Sequence, residues 1–387
     1  MPNIKKTMMA AAGAGAAGAT GAAGSLWIWG KGTFGTLGNN QILNVSSPVQ
    51  VGSLTDWKNV AIARYTVHAV KSDGSLWTWG QNNEGACGTG VSGIKYSSPV
   101  QVGSLTNWAT PGGGRTDTTH AIKTDGTLWA WGGSGAGRAG LNGSVTYSLS
   151  SPVQVGSLTN WKKITSGYAS IALKTDGTIW VWGQAAGGAC GISDGISGEP
   201  LSAPRISSPF QLGSLTTWAD IGASYKGGAA VKTDGTLWVW GHAGYGELGN
   251  NQVTVDASSP IQLGSLTTWK AVWGMSQGFI AAKNDGTLWS WGRSLEGTHG
   301  DNNNISRSSP VQVGSTDWDY NYVFRDAGGF HGVHLQTDGS LWTWGRANNG
   351  QLGRGDVVNY SSPVQLGSLK TWQSAGADGI NSWGIKS

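Results

Sequence analysis

The sequence predicts an all-β protein, a closed ring of seven β-blades. Three observations support this fold class. A motif with three tryptophan positions occurs seven times, six copies contain an Asp-Gly turn, and the two chain ends each supply half of a copy. A fixed internal period overrides other indications of fold, because repeated units stack to bury a shared core.

The repeat is defined by three landmarks that always follow in the same order. They are a Trp-x-Trp-Gly run, a Ser-Ser-Pro tripeptide and a single downstream tryptophan. The leading tryptophans of the run are Trp27, Trp77, Trp129, Trp180, Trp238, Trp289 and Trp342. The single tryptophans are Trp57, Trp108, Trp161, Trp218, Trp269, Trp318 and Trp372. Because each copy holds three tryptophans, the repeat accounts for nearly all of the 23 in the chain.

The seventh copy is divided between the two ends of the chain. GSLWIWG at 24–30 lacks the strand that precedes the turn in other copies, and NSWGIKS at 381–387 lacks the strand that follows it. Residues 24–387 number 364, an average of 52 for each of seven units. An open solenoid would need polar capping repeats, whereas a ring closes when its terminal strands pair. We therefore expect 24–387 to form a closed seven-bladed β-propeller.

The segments around the Asp-Gly dipeptides are predicted to be β-hairpins. Asp-Gly between two apolar runs favours a type I′ turn, in which both central residues have positive φ. In the next strand side chains alternate between faces, so Trp77 and Trp79 share one face of a blade. Proline cannot donate a ladder hydrogen bond, so the Ser-Ser-Pro segments are expected to be loops or edge strands.

Composition narrows the classes of partner. Charged residues make up 12% of the chain, about half the usual 25%, which is more familiar in secreted or particle-borne β-rich proteins than in cytosolic enzymes. The net charge is +4, but the 25 lysines and arginines are spread along the whole sequence. Nucleic-acid binders cluster such residues, so no nucleic-acid partner is expected. No run is apolar enough to insert into a membrane.

Residues 1–23 form an Ala- and Gly-rich segment ahead of the first strand. Its Lys5-Lys6 pair could begin a signal peptide, but too few Leu, Ile or Val residues follow for an apolar signal core. Such a segment is mobile unless something holds it. We expect it to attach the propeller to an assembly partner, which would order it.

The two cysteines, Cys87 and Cys190, occupy the repeat position that holds Leu37 and Leu248 in other copies. A disulfide requires Cα atoms within about 7 Å, and blades two apart cannot bring them so close. Both are therefore predicted to be buried free thiols that act as small hydrophobic residues. The redox compartment stays open.

The unit DGTLWxWGxNxxGxLG…SSPxQVGSLTxW resembles the repeat of the regulator of chromosome condensation family over residues 24–387. The resemblance implies a seven-bladed propeller closed by pairing of its two termini. In that family the fold carries nucleotide exchange on a small GTPase, ultraviolet-B sensing in plants and protein inhibition of a β-lactamase. Fold does not fix function, so the resemblance leaves these roles open.

The sequence departs from the family pattern in several places. The family usually has a histidine seven residues before the turn aspartate, and only His331 retains it. The Gly-Trp-Arg-His-Thr element of the photoreceptor is absent, and no residues match the catalytic surface of the exchange factor. The nearly unvaried SSPVQVGSLTxW spacer and the alanine-rich opening look most like bacterial and bacteriophage versions.

No constellation of residues indicates catalysis or metal binding. His331 and His334 are three apart, so on a strand they would point to opposite faces. Two imidazoles without a third ligand make a poor metal site. His299 replaces a core leucine, and the Gly-rich motifs do not open a helix as a phosphate loop requires. We therefore expect no enzymatic activity, no metal and no cofactor.

Six lysines share one repeat position, just before the turn, and Gln336 stands at the seventh. The lysines are Lys71, Lys123, Lys174, Lys232, Lys283 and Lys386. Two interpretations stay open. The lysines could keep solvated hairpin tips from aggregating, or they could form a cationic circle that docks an acidic partner surface or an anionic glycan.

Two segments depart from the repeat length and are candidate binding loops. One is the long connection 192–206, and the other is an insertion at 319–334. Aromatic residues and arginine anchor interfaces, although packing inside a blade would also explain the aromatic ones. The candidate binding residues in these segments are Arg205, Tyr320, Tyr322 and Arg325.

These features favour a non-enzymatic structural or binding propeller of a phage or virus particle, such as a tail, fibre, neck or capsid-surface protein. Its expected location is the virion, and its expected partners are other virion or surface proteins or an anionic host glycan. One alternative is a secreted or surface bacterial propeller that binds a protein or glycan. The other is an intracellular regulator of the guanine-nucleotide-exchange type.

Overall fold

The computed structural model describes residues 22–114, 116–142, 148–192, 205–320 and 329–387. In these ranges the regular structure is antiparallel β-sheet, with two short 3₁₀ turns at Gly135–Gly137 and Ala186–Gly188. The strands are β1 (Ser25–Gly30), β2 (Val45–Gln50), β3 (Trp57–Ala63), β4 (Thr66–Lys71), β5 (Leu76–Gly80), β6 (Tyr96–Gln101), β7 (Trp108–Gly112), β8 (Thr118–Lys123), β9 (Leu128–Gly132), β10 (Leu149–Gln154), β11 (Trp161–Ser166), β12 (Ala169–Lys174), β13 (Ile179–Gln184), β14 (Arg205–Gln211), β15 (Trp218–Ser224), β16 (Gly227–Lys232), β17 (Leu237–Gly241), β18 (Ala257–Gln262), β19 (Trp269–Met275), β20 (Gly278–Lys283), β21 (Leu288–Gly292), β22 (Arg307–Gln312), β23 (His331–Leu335), β24 (Leu341–Gly345), β25 (Tyr360–Gln365), β26 (Trp372–Ala377) and β27 (Asn381–Lys386).

Each blade is a sheet whose strands, named A to D from the axis outward, follow chain order. Blades one to five run from β3–β6 to β19–β22, and blade six has β23–β25 as strands B to D in the described part. The A strands lie nearest the axis, because Gly114 bridges both Ala63 and Ser166 in the neighbouring blades. The outermost strands contain Ser-Ser-Pro and break register there, so the edge-strand alternative is the correct one.

Blade seven is built from both ends of the chain, in the order β26-β27-β1-β2. The pairing runs from Ser25 opposite Lys386 to Gly30 opposite Asn381. The predicted closed seven-bladed propeller, with its terminal strands paired, is thus confirmed. The closure also reaches blade one, where the Gly24 amide donates to the Trp57 carbonyl oxygen at 2.9 Å.

The second tryptophan of each Trp-x-Trp-Gly run is fully buried and reaches into the preceding blade. Its indole N–H donates to a backbone carbonyl in the connection between strands C and D of that blade. The bonds run from Trp29 to Gln351, Trp79 to Thr36, Trp131 to Ala86, Trp182 to Arg138, Trp240 to Ala189, Trp291 to Glu247 and Trp344 to Thr298, with N···O distances of 2.8 to 3.2 Å. Seven such bonds join each blade to the one before it.

The Asp-Gly turns differ from the predicted type I′ geometry. Only their glycines have positive φ, between +77° and +81°. In the first turn the Gly74 amide donates to the Lys71 carbonyl at 3.0 Å, and the Lys71 amide donates to the Ser75 carbonyl at 3.0 Å. This is the longer hairpin loop, in which a type I turn is followed by a left-handed glycine.

The turn aspartate organises the tryptophan that follows it. Asp73 Oδ1 accepts from the amide and hydroxyl of Ser75 at 2.8 and 2.6 Å, and Ser75 Oγ accepts from Trp77 Nε1 at 2.9 Å. The same relay occurs in all six Asp-Gly turns, with Thr in place of Ser in four of them. The leading indole is thereby fixed in orientation.

Both cysteines are buried and free, as predicted. Burial raises the pKa of the Cys87 thiol and of the Cys190 thiol to about 12. A thiol that does not ionise near neutral pH is a poor nucleophile. Cys87 and Cys190 therefore serve as core residues.

Five histidines are also buried: His68, His120, His299, His331 and His334. Burial lowers the pKa of His68, His331 and His334 to about 3 and that of His120 to about 4. His331 Nε2 contacts Ser382 Oγ of blade seven at 2.8 Å, whereas the His334 ring packs against Trp273 of blade five and stacks on Trp344. The two side chains thus lie on opposite faces of β23, as the sequence predicts.

We expect Gly353→Ala to destabilise the protein more than the matched control Gly367→Ala. Both glycines have positive φ, so either alanine adds about 1–2 kcal/mol of backbone strain. At Gly353 an added Cβ would lie 2.8 Å from Trp29 Nε1, while at Gly367 nothing lies within 4 Å. Overpacking adds about 1–3 kcal/mol at Gly353 only. Urea unfolding measures both, and equal losses would contradict this role for the Trp29 contact.

We expect the free energy of unfolding to fall as the pH is lowered from about 6.5 to about 4. Unfolded histidines bind a proton near pH 6.5, whereas the buried ones stay neutral, so acid favours the unfolded chain by up to about 1.4 kcal/mol per pH unit for each histidine. Hydrogen bonds from Ser75 lower the pKa of the turn aspartate Asp73. The turn aspartates therefore lose their contribution to the free energy of unfolding only below about pH 4.

Urea unfolding at several pH values tests this expectation. The variant His334→Phe keeps an aromatic ring against Trp344 but removes one titrating group, so its stability should depend less steeply on pH. A wild-type stability that stays constant between pH 7 and pH 4.5 would show that the buried histidines do not govern acid sensitivity.

Candidate functional site

The propeller has two chemically different faces. The turn face carries the Asp-Gly turns and the Gly-Ser-Leu-Thr loops that lead from strand D to the next strand A. The arginine face carries the A–B and C–D connections. On the turn face one leucine per loop is exposed, in six of the seven blades: Leu54, Leu105, Leu158, Leu215, Leu266 and Leu369.

The six predicted lysines lie on the turn face, but each ammonium sits between two indoles. Distances to the single and leading tryptophans are 5.0 and 4.3 Å for Lys71, 4.7 and 3.7 Å for Lys123, 4.8 and 3.6 Å for Lys174, 5.1 and 3.8 Å for Lys232, 4.9 and 3.8 Å for Lys283, and 5.5 and 3.8 Å for Lys386. Such contacts favour a cation over each ring.

The interpretation as solvated hairpin tips is wrong for Lys71, Lys123 and Lys174, which are only 7%, 5% and 4% exposed. Burial lowers the pKa of Lys123 and Lys174. The two indoles around each lysine come from tryptophans that are far apart in the sequence, and only the folded blade brings them together. The strand pattern alone could therefore not predict that the lysines lie between indoles. Docking of a partner on these lysines stays a prediction.

Blade six departs from this pattern. Its D–A loop is one residue shorter and lacks the leucine, and Gln336 replaces the lysine. Gln336 Nε2 donates to the Thr316 carbonyl at 3.4 Å. The indole pair itself is preserved, because Trp318 and Trp342 lie 6.3 Å apart at 79°, close to the 6.3 Å and 82° of Trp57 and Trp77 in blade one.

We expect Gln336→Lys to stabilise the protein, because the new ammonium would lie over Trp318 and Trp342. A cation over an aromatic face contributes about 0.5–1 kcal/mol at such sites. Thr337→Lys, one residue on and exposed, adds the same charge without the indoles and is the control. Thermal and urea unfolding measure both variants. A control that gains as much stability as Gln336→Lys would rule out the indole contact as the cause.

The arginines are confined to the arginine face in the part of the chain that the structure describes. They lie in the A–B or C–D connections or at the first residue of a D strand: Arg64, Arg138, Arg205, Arg293, Arg307, Arg346 and Arg354. Lysines and arginines counted together are spread along the whole sequence, and this hides the restriction of the arginines to one face. The signal is nonetheless in the sequence, because no arginine falls in a Gly-Ser-Leu-Thr loop or an Asp-Gly turn.

At the centre of the arginine face lies a depression of about 480 Å³. Connections from six blades line it, which places it on the propeller axis. The charged and aromatic residues among its described lining are Arg64, Arg138, Arg346, Asp117, Asp378, Tyr65, Tyr168, Tyr225 and Phe330. Its volume is within the range of pockets that hold small ligands or single side chains.

One side of the depression is an aromatic and ionic cluster of blades seven, one and two. Arg64 pairs with Asp117 at 2.5 Å, and its guanidinium lies 5.1 Å from the ring centre of Tyr65. Tyr65 in turn packs on Phe34 at 4.4 Å between ring centres. Arg64 is 48% exposed at the side chain, so this cluster presents a pre-positioned cation to solvent.

A neighbouring wall of the depression is formed by blades two to four. The Arg138 guanidinium lies 5.6 Å from the ring centre of Tyr168, and the rings of Tyr168 and Tyr225 are 4.0 Å apart with their hydroxyls hydrogen-bonded. Burial lowers the pKa of Arg138. Across the depression, Arg346 pairs with Glu296 at 3.1 Å.

The loop residues selected from the sequence are only partly located. Arg205 begins β14 and is exposed on the arginine face. Tyr320 is half-buried and packs against the core cluster that contains Trp318, as the packing explanation predicts. Tyr322 and Arg325 lie outside the described residues. A binding role for these four stays a prediction.

No helix among the described residues is both long enough and apolar enough to cross a bilayer. Within the same residues, no three His, Cys, Asp or Glu side chains are grouped as a metal ion would require.

Comparison with known proteins finds a family match over part of the chain. A family model described as "Regulator of chromosome condensation (RCC1) repeat" matches residues 23–70, 73–111 and 338–377. The Arabidopsis thaliana "Ultraviolet-B receptor UVR8" is 26% identical over 380 residues, covering 96% of this chain and 84% of that protein. Human "E3 ubiquitin-protein ligase HERC2" is 28% identical over 267 residues, 66% of this chain but only 5% of that protein.

Solved structures show the same fold. Human WBSCR16 superimposes with a TM-score of 0.81 at 16% identity, covering 94% of this chain and 99% of that one. Yeast RCC1 (Prp20), solved with Kap60 bound, superimposes with a TM-score of 0.77 at 18% identity, covering 100% and 96%. At such identities the similarity concerns the fold alone.

These relatives overturn part of the sequence interpretation. They come from plants, mammals and yeast and are named as a receptor, a ubiquitin ligase and RCC1. The bacterial or bacteriophage-like version, the function as a component of a phage or virus particle, the virion location with its secreted alternative, and the virion or host-surface partners are therefore wrong. The low content of charged residues and the alanine-rich N-terminal segment do not identify the type of organism, and the prediction of a phage protein rested on them. The chain is a seven-bladed β-propeller, and it is similar to the RCC1 repeat over residues 23–70, 73–111 and 338–377.

Proposed function

We propose that this chain is a non-catalytic regulator that acts by binding a protein partner with its arginine face. The concentration of arginines and tyrosines on that face is the observation that supports the proposal. Arginine and tyrosine are the residues that most often dominate binding energy at protein interfaces, because they combine large contact area with directional hydrogen bonds.

The arginines are held ready for contact by stacking on tyrosines. Besides the pairs at the depression, Arg293 lies 4.4 Å from the ring centre of Tyr245, and Arg354 lies 4.9 Å from that of Tyr360. A guanidinium fixed in this way loses less conformational freedom on binding and can address a carboxylate with two hydrogen bonds. These features favour a partner with an acidic surface.

The relatives support a regulatory role of this kind. UVR8 is named a receptor. Yeast RCC1 (Prp20) has been solved with Kap60 bound, and its binding to Gsp1p and to histones has been studied. We therefore place this chain with intracellular regulators of the RCC1 type. Guanine-nucleotide exchange on a small GTPase is the first specific activity to test.

The ligase activity in the name of HERC2 is not carried over. This chain corresponds to about a twentieth of that protein's length, so a ligase function there can reside in other parts. The role of the N-terminal segment 1–23 as an attachment to a partner stays a proposal, since residues 1–21 lie outside those the structure describes.

The proposal is tested by reversing charge on one face at a time. The triple variant Arg64→Glu, Arg293→Glu, Arg354→Glu changes the arginine face. Its control, Lys58→Glu, Lys270→Glu, Lys370→Glu, makes the same charge change toward the turn face. Each protein is assayed for release of fluorescent GDP from a panel of purified small GTPases and for direct binding to them.

We expect one GTPase to bind the wild-type protein and the control, and to bind the arginine-face variant at least tenfold more weakly, because several guanidinium contacts are lost together. Accelerated GDP release would add the exchange activity. A partner that is lost with the turn-face variant but retained by the arginine-face variant would contradict the proposal and favour the lysine-bearing face instead.

A further inference from the structure

We propose that the central depression of the arginine face is a carboxylate site, with Arg138 as the residue that binds the anion. The inference rests on the proposed function, since it names the part of the arginine face that receives an acidic side chain or chain terminus of the partner. The site is not the ring of lysines that the sequence suggested.

The three arginines of the depression differ in their partners. Arg64 is engaged by Asp117 and Arg346 by Glu296. Arg138 has no ion-pair partner among the described residues, and its buried Nε makes no hydrogen bond. A guanidinium nitrogen removed from water without an acceptor is costly. A bound oxyanion would supply the missing acceptor.

The charge of the lining favours a carboxylate over a phosphate. The described lining contains three arginines and two aspartates, Asp117 and Asp378. Asp117 and Glu296 offset the charges of Arg64 and Arg346, so Arg138 is the guanidinium left without an ion pair among the described residues. A monoanion matches that one charge, whereas a phosphate would bring a second negative charge close to Asp117 and Asp378. The planar guanidinium also matches the planar carboxylate in a two-bond geometry.

The surroundings suit a single side chain or chain end. Tyr168 and Tyr225 form an aromatic wall beside Arg138, against which the aliphatic part of a glutamate side chain can pack. The depression of about 480 Å³ is too small for a folded domain, and blades surround it on six sides. A partner would therefore cover the arginine face and insert one acidic group on the axis.

The experiment measures anion binding to the full chain. Thermal unfolding is followed in acetate, in glutarate and in inorganic phosphate, each against chloride at equal ionic strength. The variants are Arg138→Gln, Arg138→Lys and, as a control on the same face outside the depression, Arg354→Gln. Stabilisation by a ligand rises with its concentration relative to its dissociation constant, so the shifts report affinity.

We expect the carboxylates to raise the melting temperature of the wild-type protein and of Arg354→Gln, and to leave that of Arg138→Gln unchanged. Arg138→Lys should retain a smaller shift, because the charge stays and the two-bond geometry is lost. Equal shifts in wild type and Arg138→Gln, no shift with any carboxylate, or a larger shift with phosphate would each overturn the carboxylate site. Melting temperatures in chloride show that each variant is folded.

The partner assay separates this inference from the proposed function. If Arg138→Gln weakens binding of the GTPase at least tenfold, and acetate competes with the GTPase for the wild-type protein, the carboxylate comes from the partner. If the arginine-face triple variant abolishes partner binding while Arg138→Gln does not, the proposed function stands and the insertion of an acidic group is refuted. If the carboxylates bind while no partner requires the arginine face, the proposed function fails, and the site takes a small free acid.

Discussion

The hydrogen bond from one indole to the carbonyl of the preceding blade is the interaction on which the ring depends. Each of these indoles is fully buried, and it packs on a glycine where any Cβ would clash, as Trp79 does on Gly38. The distance between neighbouring blades is therefore set by a buried indole that donates to a carbonyl and packs against a glycine of positive φ. Because Trp29 makes it to Gln351, the same contact that repeats between neighbours also joins the N-terminal strand to blade six.

On the turn face, the aspartates of the Asp-Gly turns and the six repeat lysines make their contacts within their own blades. The turn aspartates accept hydrogen bonds from their own Ser or Thr, and the lysines lie between indoles, so both kinds of charge act within the blade. The arginine face has the opposite character. Its connections vary in length and sequence, and guanidinium groups such as those of Arg64 and Arg138 stand against tyrosines around a central depression. Rigid blades thus support a face whose residues are free to specialise.

The fold of this chain is shared with its relatives, but its surface loops differ. The chain is similar to RCC1 repeats over residues 23–70, 73–111 and 338–377 and to the Arabidopsis receptor UVR8 over most of its length, and it shares its fold with yeast RCC1. These similarities do not identify a partner, because identity below 30% leaves the loops free to change. The arrangement of Arg138, Tyr168 and Tyr225 is the basis for the carboxylate chemistry that we propose for the depression.

The sequence alone determined the number of blades, the order of strands, the closure by NSWGIKS and GSLWIWG, and the buried state of Cys87 and Cys190, because each follows from a local period repeated seven times. Tertiary structure decided which side chains contact each other within and between the blades. It placed Lys174 between two tryptophans, selected a left-handed glycine loop over a type I′ turn, and gathered Arg64, Arg138 and Arg346 on one axis. The placements of the lysine and the arginines depend on contacts between residues of different strands and blades, and the turn type depends on the backbone angles of the hairpin. The repeat pattern contains neither.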